Sequence, residues 1–381
     1  STLLASSAAS DVYKRQLPDI IIEFSKKAVT AIQNGSTGIV GIMLKDAKNK
    51  GAMVLRSVDE IPTGDSAFSA ENTAYIERAF IGSPSKVIIY TMDTTAESYD
   101  EATKYFATQK VNYIVGAPDL TTEEATKLAT WVKGIRKNSV RRPVAVLPKT
   151  AGDSRGVINF EVVNSSATNK IEVGEKQYTE AEYCSRIAGL LAGLDLRVSA
   201  TYKPLTEVTA IPLVDSDEEV DTAIDAGKLT LYNDGERVVI ARGVNSLTTV
   251  TEVETADLQK IKINAIQDQI EGDIYSTINK SYIGNYSNSY DNKCLLITAI
   301  KGYLRGLEAT EGGKGWLKAD SSTMEINVAK QKQYLESIGV DTSEMDEQAI
   351  KEANTGSHVF LKGTISILDA IEDVDIFINK D

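Results

Sequence analysis

The sequence predicts a mixed-sheet α/β body domain, a smaller α+β C-terminal domain, and extended strand arms at both ends. Short apolar strands alternate with amphipathic helices from residue 35 to about residue 250. This alternation indicates a parallel or mixed sheet covered on both faces. From about Thr251 longer helices dominate, and the last residues alternate apolar and polar side chains as strands do.

The N-terminal end divides into two segments. Residues 1–16 end in DVYKRQ, and one back-translation of this hexapeptide is GAT GTG TAT AAG AGA CAG, the mosaic end of a transposase used in sequencing libraries. We therefore expect residues 1–16 to be a non-native sequencing artefact, with the natural protein beginning near Leu17. Residues 17–34 contain the strand-like run LPDIIIEF, which predicts an N-terminal arm.

The α/β body domain is predicted over residues 35–250. Short apolar runs predict buried strands at Gly38–Met43, Lys86–Tyr90, Asn112–Gly116, Pro143–Leu147 and Gly156–Val162. Apolar stripes predict helices at Ala70–Phe80, Glu97–Ala107, Thr122–Lys137, Thr179–Leu194 and Asp217–Ala226. Two of these helices begin with capping-box sequences, Thr121/Glu124 and Ser216/Glu219. The sequence Asn233-Asp234-Gly235 between two apolar runs predicts a hairpin turn.

The α+β C-terminal domain is predicted over residues 251–368. Isoleucines at helical spacing mark one face of a long helix: Ile263, Ile266, Ile270, Ile274 and Ile278. A second helix carries an apolar face from Leu296 to Leu307, and a third is expected near Val328–Ile338. A strand is expected to begin near His358, the only histidine, and residues 369–381 are predicted to form a C-terminal strand arm.

Composition excludes several classes of function. The net charge of −13 disfavours nucleic acid as a partner, because phosphate binding needs a basic surface. No apolar run approaches the roughly 20 residues that span a membrane, so membrane insertion is not expected. Cys184 and Cys294 are interpreted as buried free thiols, which fits synthesis in a reducing cytoplasm. No cofactor is expected, since no glycine motif has phosphate-binding spacing.

One set of side chains could carry enzymatic chemistry. Asp93 and Asp119 each follow the carboxyl end of a predicted parallel strand, where α/β folds bind ligands, and Lys149 follows another. An enzyme or nucleotide-binding protein using these three residues is therefore an alternative hypothesis. Turn formation and helix capping are the simpler explanation, because aspartate is common in both.

The two arms allow two interpretations. Strand-forming residues lie at Ile20, Ile21, Ile22, Phe24, Val374, Ile376, Phe377 and Ile378. Each arm could pair within its own chain, or it could add to the sheet of another subunit by β-augmentation. Periodicity does not distinguish these alternatives.

Several long stretches resemble the contractile phage tail sheath family. They are Arg186–Val208, Leu229–Thr249 and Lys260–Glu308, and the opening Leu17–Ile32 is similar to the short Gram-positive branch of that family. The similarity covers nearly everything from Leu17 to the end of the chain. The family includes sheaths of phages, defective prophages and R-type bacteriocins.

The resemblance implies a structural protein and not an enzyme. Sheath subunits stack as six-fold rings around a tail tube in a metastable extended state, and contraction drives the tube through the target envelope. The implied partners are other copies of the chain, the tube protein, the baseplate and the tail terminator, in a virion tail or a released tail-like particle. The arms would then pair between subunits, and a helix near Val328–Ile338 would face the tube through Lys330 and Lys332.

Overall fold

The structure is a computed structural model that describes residues 38–310 and 315–379. These residues form two compact units. The body contains the described residues up to Gly272 and those from Asp369 onward, and the small unit contains Asp273–Leu368. The segment 1–16 and the arm residues Ile20, Ile21, Ile22 and Phe24 lie outside the described residues. The division of the chain into five segments stays a prediction.

The body is built on a seven-stranded mixed sheet. Its strands are β1 (Ile39–Lys45), β2 (Gly51–Leu55), β3 (Lys86–Met92), β4 (Tyr113–Val115), β5 (Val144–Pro148), β6 (Val157–Phe160) and β9 (Lys228–Leu229). Two separate hairpins join β7 (Ile171–Val173) to β8 (Lys176–Tyr178), and β10 (Leu231–Asn233) to β11 (Val238–Ile240). The sheet order is β2-β3-β1-β4-β5-β6-β9, in which only the β2–β3 pair is antiparallel. The predicted mixed sheet is confirmed.

Helices cover both faces of this sheet. They are α1 (Ala70–Ile81), α2 (Asp100–Phe106), α3 (Thr122–Asn138), α4 (Glu180–Gly193) and α5 (Asp217–Asp225). The next helix, α6 (Ile261–Thr277), contains the boundary between the two units in the sequence. Alternate residues of β1 supply two cores: Val40 and Ile42 pack in the core formed with α1 and α4, and Ile39 and Met43 in the core formed with α2 and α3. This two-sided burial explains why the strands are apolar at nearly every position.

The helix starts show one correct and one wrong prediction. The Thr121 hydroxyl accepts a hydrogen bond from the backbone N–H of Glu124, whose carboxylate accepts from the backbone N–H of Thr121, so that capping box is confirmed. The box at Ser216 is wrong, because the Ser216 side chain makes no capping hydrogen bond. Three acidic residues occupy the first turn of α5 instead, where they favour the positive end of the helix dipole.

Several details differ from the sequence prediction. The edge strand β2, the β7–β8 hairpin and a strand at Thr323–Ile326 were not predicted. Cys184 is buried as expected, whereas Cys294 is only partly buried. Among the described residues, no helix is long and apolar enough to cross a membrane.

The small unit consists of helices and one two-stranded sheet. After a π-helical turn at Ile278–Tyr282 come α7 (Tyr290–Leu307), β12 (Thr323–Ile326), α8 (Val328–Ser337), α9 (Glu347–Glu352) and β13 (Leu361–Thr364). Strands β12 and β13 are antiparallel, with Ile326 opposite Leu361 and Thr323 opposite Thr364. The predicted helices near Leu296 and Val328 are confirmed. The strand expected from His358 begins only at Leu361 and ends at Thr364. His358 lies before it, in a ring cluster with Tyr334 and Phe360.

Candidate intersubunit segment

The last described residues, 369–379, are called the tail here. Residues 368–379 form no helix or strand within the described chain. The strand expected at residues 374–378 is therefore not formed within the part of the chain that the structure describes. The apolar side chains are highly exposed: 69% for Val374, 71% for Ile376, 88% for Phe377 and 82% for Ile378. Apolar residues concentrated in this way indicate a surface that another molecule covers.

One tail residue differs from its exposed neighbours. The side chain of Glu372 is only 6% exposed, and its Oε1 accepts hydrogen bonds from the Ser199 and Thr201 hydroxyls, each at 2.7 Å. Its Oε2 lies 3.5 Å from Lys260 Nζ and 3.6 Å from Arg242 Nε. We call Ser199, Thr201, Arg242 and Lys260 the socket. A buried carboxylate is tolerated here because hydroxyl donors and two cations replace its water.

Two further acids of the tail contact the same cations. Asp373 pairs with Arg242, and Asp369 pairs with Lys260. The hydrogen bond to Asp373 raises the pKa of Arg242. Burial lowers the pKa of Lys260, but its hydrogen bond to Asp369 and the charge of Glu372 reverse this effect, so the net shift is upward. The first residues of the tail thus form ion pairs with the body, whereas the apolar residues after them are highly exposed.

The two lysines predicted to face a tube lie on α8. Both side chains are exposed, and the side of the helix between them buries Gln331 and Leu335. The Asn327 side chain caps the helix by accepting from the backbone N–H of Lys330 at 3.0 Å. Residues two apart on an α-helix are separated by about 200° around its axis, so Lys330 and Lys332 do not share one face.

The alternative active site does not form a single cluster. Asp93 follows β3, pairs with Lys50 and accepts from the Thr95 backbone N–H at 3.1 Å. The hydrogen bond from Lys50 holds the pKa of Asp93 well below its usual range. Lys149 lies 3.4 Å from the Glu180 carboxylate, and Asp119 is exposed after β4. Strand β1 lies between β3 and β4, so these two strands are about 10 Å apart across the sheet. Strand β3 also ends three residues further along β1 than β4 does, since Met92 is opposite Lys45 and Val115 is opposite Ile42.

Comparison with known proteins decides between a sheath protein and an enzyme. Residues 93–246 match the phage tail sheath protein central domain. The chain is 37% identical over 368 residues to the tail sheath protein of Clostridium phage phiCD119, covering 94% of this chain and 98% of that protein. The chain belongs to the phage tail sheath family. It is a structural sheath protein, and the prediction that it is not an enzyme is confirmed by this membership.

Solved structures share the fold of this sheath protein. The sheath tail protein from Listeria innocua is 13% identical with a TM-score of 0.63, covering 92% of this chain and 100% of that chain. The helical sheath of the anti-feeding prophage in its contracted state is 13% identical with a TM-score of 0.68, covering 93% of this chain and 96% of that one.

Asp93 and Lys149 make structural contacts. Asp93 joins β2 to β3 by pairing with Lys50, which lies just before β2, and Lys149 pairs with the first residue of α4. Among residues 38–310 and 315–379, no group of three or more His, Cys, Asp or Glu side chains is placed to hold a metal ion.

Proposed function

We propose that this sheath protein assembles with other copies of itself around a tail tube, in an extended sheath that contracts, and that the tail joins neighbouring subunits. The observation that carries the proposal is the run of exposed apolar side chains at residues 374–378, which no strand of the described chain covers. The contracted helical sheath of the anti-feeding prophage, which has the same fold, supports it.

The tail has the composition of a strand that is donated to another sheet. Val374, Ile376 and Ile378 would point to one face, and Asp375 and Phe377 to the other, as the period of two requires. In β-augmentation main-chain hydrogen bonds provide affinity, and alternate side chains fill pockets that provide specificity. Five residues in this conformation span about 17 Å, the usual length of a strand.

The sheet of the small unit is a suitable acceptor in a neighbouring copy. Among the described residues, β12 and β13 pair only with each other. A two-stranded sheet is marginal alone, and three or more strands are needed for independent stability. Added strands from neighbouring subunits would complete it, with the segment Ile20–Phe24 as the proposed N-terminal donor.

Strand donation is compatible with contraction. Main-chain pairing keeps neighbouring subunits joined while contacts between their bodies change. A switch needs interactions that differ between its two states, so we place the energy difference in the body contacts of the extended and contracted sheath. In this proposal six subunits form each ring, and the baseplate and a terminator protein contact the two ends of the sheath.

Deleting Asp373–Asp381 should leave a folded chain that forms no sheath. The truncation removes the proposed donor strand but retains Glu372 and the whole hydrophobic core. Negative-stain microscopy and sedimentation would measure assembly, and thermal melting would measure folding. A chain lacking only residues 380–381 is the control, and ribbed tubes formed by the longer deletion would refute strand donation.

Charge reversal on α8 should test the proposed contact with the tube. If this helix faces an acidic tube surface, Lys330→Glu or Lys332→Glu should reduce co-sedimentation with purified tubes. Because the two lysines point in different directions, we expect a strong effect for only one of them. Exposed Lys318, which lies outside the helix, provides the matched Lys318→Glu control. Normal binding by both helix variants would exclude α8 from the tube contact.

A further inference from the structure

The tail is attached to its own body immediately before the donated strand begins. We infer that Glu372 is a positioning residue, whose attachment to the socket fixes the point and direction in which the donated strand leaves its subunit. This inference rests on the strand donation proposed above, and it concerns a residue outside the strand itself.

The exposure pattern singles out Glu372. Ile371 before it is 89% exposed, and the side chain of Asp373 after it is 83% exposed. Only Glu372 turns inward between them, and both of its oxygens face polar groups of the body. Its donors come from distant parts of the chain, 173 and 171 residues away in sequence. A contact of this kind requires a folded body and is not a local turn.

The socket favours the carboxylate over an uncharged side chain. Oε1 receives two hydroxyl donors, whereas Oε2 is buried without a hydrogen bond and is stabilised by the nearby charges of Lys260 and Arg242. Burial lowers the pKa of Lys262, and the negative charges of Asp369 and Glu372 oppose this fall. Hydrogen bonds to an ionised group are about twice as strong as neutral ones. By contrast, the ion pair of exposed Asp373 with Arg242 contributes little.

Glu372 lies so close to the donated strand that the chain between them has little conformational freedom. Glu372 and Val374 are two residues apart, so their Cα atoms are separated by at most about 7 Å. The first residue of the strand is therefore restricted to a small volume beside the socket. Restricting a segment before binding reduces the entropy lost on association, and so strengthens binding without adding contacts to the partner.

Glu372→Ala should raise the protein concentration needed for sheath assembly by about tenfold or more, because the strand loses its fixed starting point. The unassembled chain should stay folded, with only a small fall in its melting temperature, since the hydrophobic core is untouched. Glu372→Gln, which keeps the shape but removes the charge, should have a smaller effect in the same direction. Glu236→Ala, which removes an exposed acid from the β10–β11 turn, is the charge-matched control.

A second variant separates positioning from a general loss of stability. Two glycines inserted between Asp373 and Val374 should impair assembly as Glu372→Ala does, since they free the strand downstream of the socket. Combining the insertion with Glu372→Ala should add little, because the strand is already free in either single variant. Independent contributions would instead multiply the two effects.

The outcomes distinguish this inference from the proposed function. Parental assembly of Glu372→Ala would overturn positioning while strand donation stands, provided that the Asp373–Asp381 deletion fails to assemble. Multiplied effects of the insertion and Glu372→Ala would also overturn positioning. Parental assembly of the deletion would refute strand donation, and positioning with it.

Discussion

Replacing Val374, Ile376 and Ile378 together by asparagine should abolish sheath assembly and leave the unassembled chain folded. These side chains are exposed in the single subunit, so their replacement removes no packing from the fold. In the proposed assembly each substitution would remove about 1.5–3 kcal/mol of binding free energy between neighbouring subunits, because burial of an apolar side chain of this size contributes that much. Summed over three residues, the loss weakens each contact between neighbours by at least about a thousandfold.

The opposite face of the same strand provides the control. Asp375→Asn with Asn379→Ser changes polar side chains and keeps the apolar face intact. We expect this variant to form sheaths at a concentration close to that of the parent. Sedimentation across a concentration series would compare both variants, and equal assembly by the two would show that the apolar face is not buried between subunits.

Gly189→Ala should destabilise the body, because helices α1 and α4 approach too closely at this position to admit a methyl group. Helices α1 and α4 approach closely at Gly82, Gly189 and Gly193. A Cβ at Gly189 would overlap the backbone carbonyl oxygen of Ala79, which cannot move aside as a flexible side chain can. The helices must then separate, and overpacking of this kind costs about 1–3 kcal/mol or more. Thermal melting should show a fall of about 5–10 °C.

A matched glycine lies on another helix of the same unit. Gly134 is within α3, and a Cβ there would meet no atom within 4 Å. Gly134→Ala should therefore raise stability slightly, by up to about 1 kcal/mol, because alanine favours helix over glycine. If both substitutions lowered the melting temperature equally, close helix contact would not be the reason for Gly189.

The sequence allowed much of the body to be predicted, because its strands are buried on both faces and read as continuous apolar runs. Strand β3 and helix α3 are examples, and the Thr121 box gave the exact start of the latter. Strand β2 was missed because it lies at the sheet edge and is only partly buried, so its five residues give a weak signal. The β7–β8 hairpin could have been predicted from Gly174, because glycine is favoured at the first position of a two-residue hairpin turn. In the structure Gly174 has a φ of 59°, the conformation that favours glycine there.

The candidate site was predictable only in part. The alternation of Val374, Ile376 and Ile378 is a local pattern, and it indicated the tail directly. The role of Glu372 was not visible, because it lies in an acidic segment and its socket is assembled from residues distant in sequence. Likewise, the family resemblance suggested a helix that faces the tube. Only the helix geometry shows that Lys330 and Lys332 point to different sides of that helix.

The two-stranded sheet of the small unit also bears on the length of the polymer. The tail and the outer edges of β12 and β13 are different surfaces of one chain, so a contact between them is not two-fold symmetric. After two copies join in this way, the pair still presents one free donor and one free acceptor. Such head-to-tail contacts continue unless their geometry closes a ring. In the proposed assembly, strand donation alone therefore does not limit the length of the polymer. Another component must set the length of the sheath.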